Sequence, residues 1–285
     1  MQRFRSRLAA ACMAVISLAF FTPQSALGQV TDGQTWEAEQ LGDATIDLDA
    51  YWEPMSDAVY EFDKKPQIRE LKVATKRLTR RSSDFQPFLP EQTVQTGDAW
   101  QVDPELVVPI LKQFHEGARA ELHHGFVSAP GGWACLSALN DEFAEISFRI
   151  HAEFLLDGDG NSPDSSWFTP AQFKGRLLID ITSNQVVAFQ MGVPSQSANV
   201  DINLPIGADI GRIPRMELVG GTFPEALQDA GQISDLESRQ LLARKFYPFA
   251  EVDWLSLDEA RAESLETGKP LHVIALFGSL DDESC

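Results

Sequence analysis

The chain has 285 residues, enough for about two domains and a sizeable buried core; 44% of them are hydrophobic and 23% charged, which excludes low-complexity, collagen-like and wholly disordered classes. Lysine and arginine total 23 against 42 aspartates and glutamates, and the net charge of −19 argues against nucleic acid or an anionic membrane surface as partner. Three cysteines, Cys12, Cys135 and Cys285, are too few for a disulfide scaffold or a four-cysteine zinc site.

Arg3, Arg5 and Arg7 precede an uncharged run from Leu8 to Phe21, and Ala26-Leu27-Gly28 places small residues where a signal peptidase cuts. The run falls short of the ~20 apolar residues that a membrane-spanning helix needs. Residues 1–28 are therefore expected to be a secretory signal and the protein exported, to the periplasm or medium, or to the endoplasmic reticulum in a eukaryote. Membrane anchoring follows only if that segment is retained.

Residues 29–90 read as a polar, helical segment, with Lys72, Lys76, Arg77, Arg80 and Arg81 at near-helical spacing, as on a solvated helix face. Asp103-Pro104 opens a short helix, Asp as N-cap and Pro in the first turn, which Pro109 should kink or end. From Ala144 to Leu156 every even position is apolar, while Glu145, Ser147, Arg149, His151 and Glu153 take odd ones, predicting one long half-buried strand. Phe173 to Ile181 and Val187 to Met191 form a second strand pair turning at Ser183-Asn184. Residues 91–220 are thus expected to be a central antiparallel sheet domain, with one face buried and the other polar or covered by helices.

Residues 221–250 are expected to be a helical linker, with a capping box at Ser234–Glu237 and an end at Tyr247-Pro248. A second capping box, Ser256–Glu259, starts a short helix closed by Gly268 and Pro270. Leu271 to Phe277 then reads as a buried strand, followed by the loop Ser279 to Cys285. Helix, buried strand and cysteine-bearing loop make the first half of a βαβ unit. A strand without neighbours or a crossover helix predicts further sequence beyond Cys285, so 251–285 reads as an incomplete α/β domain and the fold class as α+β.

FRIHAEF at 148–154, WFTPAQFKG at 167–175, NVDIN at 199–203, IGRIPRMEL at 210–218, YPF at 247–249 and HVIALFGSLDDESC at 272–285 together resemble selenoprotein N. The resemblance implies a thiol/selenol oxidoreductase whose last domain is thioredoxin-like. In that family the final segment continues into selenocysteine and glycine, selenocysteine being encoded by the stop codon UGA. The resemblance therefore identifies Cys285 as the catalytic cysteine, puts selenocysteine at the next position, and implies a redox protein partner, small thiol or oxidant. Animal members of the family are membrane glycoproteins of the endoplasmic reticulum, linked to calcium-store homeostasis, and carry a calcium-binding EF-hand. Here Asp157-Gly-Asp159-Gly-Asn161 starts like a calcium loop, but Ser162 and Phe168 occupy its sixth and twelfth positions, so it reads as a polar hairpin loop.

A thiolate is favoured beside cations or at a helix N-terminus, whereas Asp281, Asp282 and Glu283 surround Cys285 with like charge. The expected roles are a selenolate attacking the disulfide or oxidant and Cys285 resolving the product; the chain ending at Cys285 is expected to be inactive. His115, His123, His124, His151 and Cys135 match no metal-ligand spacing, so no metal or other cofactor is expected, and Cys135 reads as a core residue. The alternative is an exported, non-catalytic binding or scaffold domain.

Overall fold

The computed structural model describes residues 34–120, 131–158, 162, 164–195, 198–224, 227, 230–247, 252 and 254–273. The expected signal segment 1–28 and the residues from 274 to Cys285 lie outside them. The described residues divide into two compact units, 34–254 and 255–273.

The first unit holds sixteen strands. They are β1 (Thr35–Trp36), β2 (Thr45–Trp52), β3 (Arg77–Arg81), β4 (Val94–Gln95), β5 (Ala99–Gln101), β6 (Ala118–Arg119), β7 (Gly132–Leu139) and β8 (Phe143–Ile150), then β9 (Glu153–Asp157), β10 (Ser166–Pro170), β11 (Phe173–Asp180), β12 (Gln185–Gly192), β13 (Val200–Leu204), β14 (Gly207–Gly211), β15 (Met216–Gly221) and β16 (Gly231–Gln232). Helices α1 (Pro66–Arg69), α2 (Pro104–Leu111) and α3 (Asp235–Phe246) belong to the same unit; α4 (Leu257–Thr267) belongs to the second. A nine-stranded sheet runs β16-β7-β8-β11-β12-β15-β2-β3, with β5 also on β7, and a five-stranded sheet runs β14-β13-β10-β9-β6. Every pairing is antiparallel, which fits the α+β expectation.

Between β8 and β15 the chain passes between these sheets four times: at His151–Ala152, at Ala171–Gln172, between β12 and β13, and between β14 and β15. The single strand expected over 144–156 is therefore two strands, β8 and β9, in different sheets. The alternation misses the break because Ala144, Ile146, Phe148, Ile150, Ala152 and Phe154 stay on one buried face through the bend. Phe154 stacks on Phe168 at 4.9 Å and meets Phe173 edge-on at 6.2 Å, while Phe148 lies 4.5 Å from Phe88 and 5.7 Å from Phe189. Each such ring contributes about 1.5–3 kcal/mol by leaving water, so the bend is welded from inside. Of the odd positions, Ser147 and Arg149 are buried on the face where α3 crosses β7 and β8, the helix-covered alternative, and Glu153 is buried on β9.

The N-terminal third is corrected as well. Residues 29–90, expected to be helical, supply β2 and β3 to the long sheet, and the basic segment ends in a strand. Cross-strand pairing decides this: Leu78 faces Leu48, the Arg77 guanidinium donates to Asp49 at 2.7 Å, and the Thr79 hydroxyl donates to Asp47 at 2.6 Å.

Local signals elsewhere act as read. The Asp103 carboxylate accepts from the Glu105 N–H, Asn184 takes φ 52° in the β11–β12 turn, and both capping boxes close on α3 and α4. Gly268 at φ 69° ends α4, a left-handed cap that glycine adopts without strain. β9 and β10 pair as a hairpin around the acidic loop. Leu271, His272 and Val273, expected to begin a buried strand, lie outside any strand and are exposed; among the described residues no strand pairs with them.

Candidate functional site

The bends between the sheets gather the polar residues. Arg149, next to last in β8, is only 1% exposed, and its Nε donates to the Oε1 of Gln172, the residue at the adjacent bend between β10 and β11. The Gln172 amide in turn donates to the Tyr247 hydroxyl at 2.6 Å. The Arg149 guanidinium lies 5.1 Å from the ring centre of Phe246 and 5.2 Å from that of Tyr247, against rings that meet edge-on. A desolvated guanidinium over an aromatic face gains up to ~2 kcal/mol, so these contacts hold the end of α3 onto the bend. The Ser234–Glu237 capping box fixes where α3 starts, and twelve helical residues later Phe246 and Tyr247 arrive at Arg149.

Beside this pair, Arg119 on β6 grips Glu153 of β9, donating from Nε at 2.7 Å and also from its terminal amino group; Glu153 is buried. His151 sits between Arg149 and Glu153 in the chain, its main-chain N–H donating to the Gly131 carbonyl at 2.8 Å. Its Nε2 is shut off from solvent and has no hydrogen-bond partner among the described residues. Burial, aided by the neighbouring Arg149 charge, lowers its pKa to about 4. The other two bends close on Asn199, whose amide donates to the carbonyls of Pro194 and Ile213 while its oxygen accepts from the Ile213 N–H at 2.6 Å.

The predicted catalytic residue, Cys285, lies outside the described residues. Cys135 on β7 is fully buried, and burial pushes its thiol up to about 12, with the Glu145 charge adding to the rise. It is a core residue without thiolate character, as read from its neighbours. In the folded chain Cys135 should resist iodoacetamide at neutral pH and label only in denaturant, which mass spectrometry of the peptide carrying it will report. His115 accepts from the Gly117 N–H through Nδ1 at 3.1 Å; His123 and His124 lie outside the described residues. Among the described residues no group of three histidine, cysteine or carboxylate side chains stands together as a metal site would need.

No family model and no solved structure matches the chain. Selenoprotein N of Homo sapiens matches at 29% identity, covering 70% of this chain and 43% of the human protein. The Mus musculus and Danio rerio proteins of the same name match at 29%, covering 70% and 72% of this chain and 46% and 47% of theirs. The chain is a distant relative of selenoprotein N. It spans less than half the length of these relatives.

The bends coincide with the segments that resemble selenoprotein N. FRIHAEF, WFTPAQFKG, NVDIN and IGRIPRMEL are the four passages between the sheets or their flanks, and Tyr247 of YPF is the residue that Gln172 reaches. The segments that carry the resemblance thus fall largely on the bends between the two sheets. Sequence reasoning placed Tyr247 only as a helix stop and passed over Gln172. The signal for both was their presence in the distinctive segments.

Proposed function

We propose that the chain is the scaffold and redox arm of a selenoprotein N-type thiol/selenol oxidoreductase, in which Cys285 works beside a selenocysteine at the following position in a thioredoxin-like domain. The observation that carries the reading is the segment HVIALFGSLDDESC at 272–285 within a chain related to selenoprotein N. The selenocysteine supplies a selenol that ionises more readily than a thiol and takes up one sulfur of the substrate disulfide. The Cys285 thiolate then displaces that sulfur and closes onto selenium. The substrate disulfide gains two electrons and leaves as two thiols, while the Cys285–selenocysteine pair loses two and is restored by a partner dithiol or small thiol. The described residues support a division of labour, since their buried polar groups brace the sheets and their cysteine is inert. Export through residues 1–28 belongs to the same proposal.

The test is to read the codon after Cys285 and express the chain extended through it. The extended protein should reduce insulin disulfides, and Cys285→Ser should abolish turnover while leaving circular dichroism unchanged. A codon other than UGA, or equal activity in Cys285→Ser, leaves the non-catalytic scaffold as the standing function.

A further inference from the structure

Eight of the chain's 23 lysines and arginines fall within residues 64–81, where Glu70 is the one carboxylate, inside a protein of net charge −19. The segment finishes as β3, the outermost strand of the nine-stranded sheet. Its two edges differ. Ala50 donates to the Lys76 carbonyl and Ser82 to that of Ala44, both at 2.7 Å, so even-numbered residues bond inward to β2. By the same alternation the N–H and C=O groups of Arg77 and Thr79 face away from β2, and among the described residues no strand pairs with them. The Arg81 N–H is taken by Asp84, which ends the open stretch. Lys72, Lys76 and Arg81 are exposed and have no ion-pair partner among the described residues, whereas Arg77 is held by Asp49.

We propose that the outer edge of β3 receives an extended acidic segment of a partner protein as an added strand. Charge complementarity chooses the occupant: an acidic segment meets repulsion over most of this protein and attraction here, from Lys76 and Arg81, which flank the open backbone groups and have no ion-pair partner among the described residues. A second copy paired edge to edge would set Arg77, Thr79 and Arg81 against one another, and like charges directly opposite are destabilising. A flat anionic surface lying on that face of the sheet would meet Asp47, Asp49 and Glu217 beside the arginines, since the β2–β3 and β15–β2 registers put these carboxylates on the same face. A strand approaching along the edge avoids them. Added strands gain affinity from backbone hydrogen bonds and specificity from alternate side chains, so a strand of alternating glutamates can set one against Arg81 while its backbone meets Arg77 and Thr79.

The probe is a fluorescein-labelled peptide of alternating glutamate and valine, titrated by anisotropy with the full chain at low salt. Binding is expected, weakening as salt rises, weakening at least ~10-fold in the Lys76→Glu/Arg81→Glu variant, and absent for a lysine/valine peptide. Methylating the peptide's amide nitrogens should also abolish it, because an added strand needs those donors. Thr79→Pro removes an outward donor while keeping every charge, at an edge position where proline costs no backbone ladder bond, and should weaken binding more than Thr79→Val, which loses only the hydroxyl bond to Asp47. Failure of the acidic peptide to bind, or equal binding by the methylated peptide, overturns the proposal; the latter would mean a diffuse basic patch, to which anionic vesicles would also bind.

Discussion

Gly175→Ala should destabilise the protein by at least ~3 kcal/mol, more than an overpacked core site usually costs, because one of the obstructing atoms cannot move. Gly175 lies in β11 between Phe148 of β8 and Met191 of β12. A Cβ there would stand 2.1 Å from the Phe148 Cζ and 2.4 Å from the Gln190 carbonyl oxygen. The Phe148 ring is itself held by Phe88 and Phe189, so swinging it aside disturbs a three-ring cluster, and the carbonyl is fixed in the sheet. In a chain this size the loss corresponds to a fall of roughly 6–12 °C in Tm. Scanning calorimetry reads it. Combining Gly175→Ala with Phe148→Leu should cost less than the sum of the two singles, since the shorter side chain clears part of the clash; strict additivity would show that the ring is not the obstacle.

The same glycine shows what the sequence disclosed and what it withheld. It closes WFTPAQFKG, one of the segments that point to selenoprotein N, and structurally it is a close approach inside the sheet. Capping boxes, the Asp103 cap and the Asn184 turn were legible because each is settled by side chains within a few residues of the backbone groups they satisfy. The break at His151–Ala152 was not legible. Period two reports which face is buried, and one buried face continues round the bend while the hydrogen-bonding partners change. β3 was misread for a related reason: near-helical spacing of cations carries no information about Asp47 and Asp49, some thirty residues earlier, which pull the segment into a ladder. Burial of Arg149 was hidden because what covers it, Gln172, Phe246 and Tyr247, comes from positions 23 to 98 residues further along the chain.

These points bear on how function is divided in the chain. Asn199, Gln172 and Arg149 are polar residues that a core would ordinarily exclude: Asn199 satisfies main-chain groups that lose their ladder partners at a bend, while Arg149 and Gln172 tie another bend to Tyr247. They brace architecture. The residue expected to do redox chemistry belongs to a different stretch, and the buried Cys135 cannot substitute for it with its thiol held near 12. Activity in the extended protein should therefore depend on Cys285 and be indifferent to Cys135→Ala, apart from the stability that a filled core position provides.

Acid should unfold the protein earlier than its carboxylates alone predict, through His151. Its pKa stands at about 4 in the fold against 6.5 for the ordinary side chain, because burial and then the Arg149 charge disfavour the imidazolium. As pH falls below 6.5 the unfolded chain takes up a proton that the folded chain refuses, so stability is lost progressively down to about 4. The shift amounts to roughly 3 kcal/mol at full effect. His115, lowered by burial, adds a contribution of the same sign. Glu145 and Asp201 act oppositely: burial raises their pKa values, so protonation in acid favours the fold. Guanidinium unfolding from pH 7 to 5 should accordingly show a falling midpoint, and His151→Gln should remove most of that slope, whatever its offset at pH 7. A slope equal in both proteins would mean that His151 takes its proton without cost, and that the site between Arg149 and Glu153 is open to water.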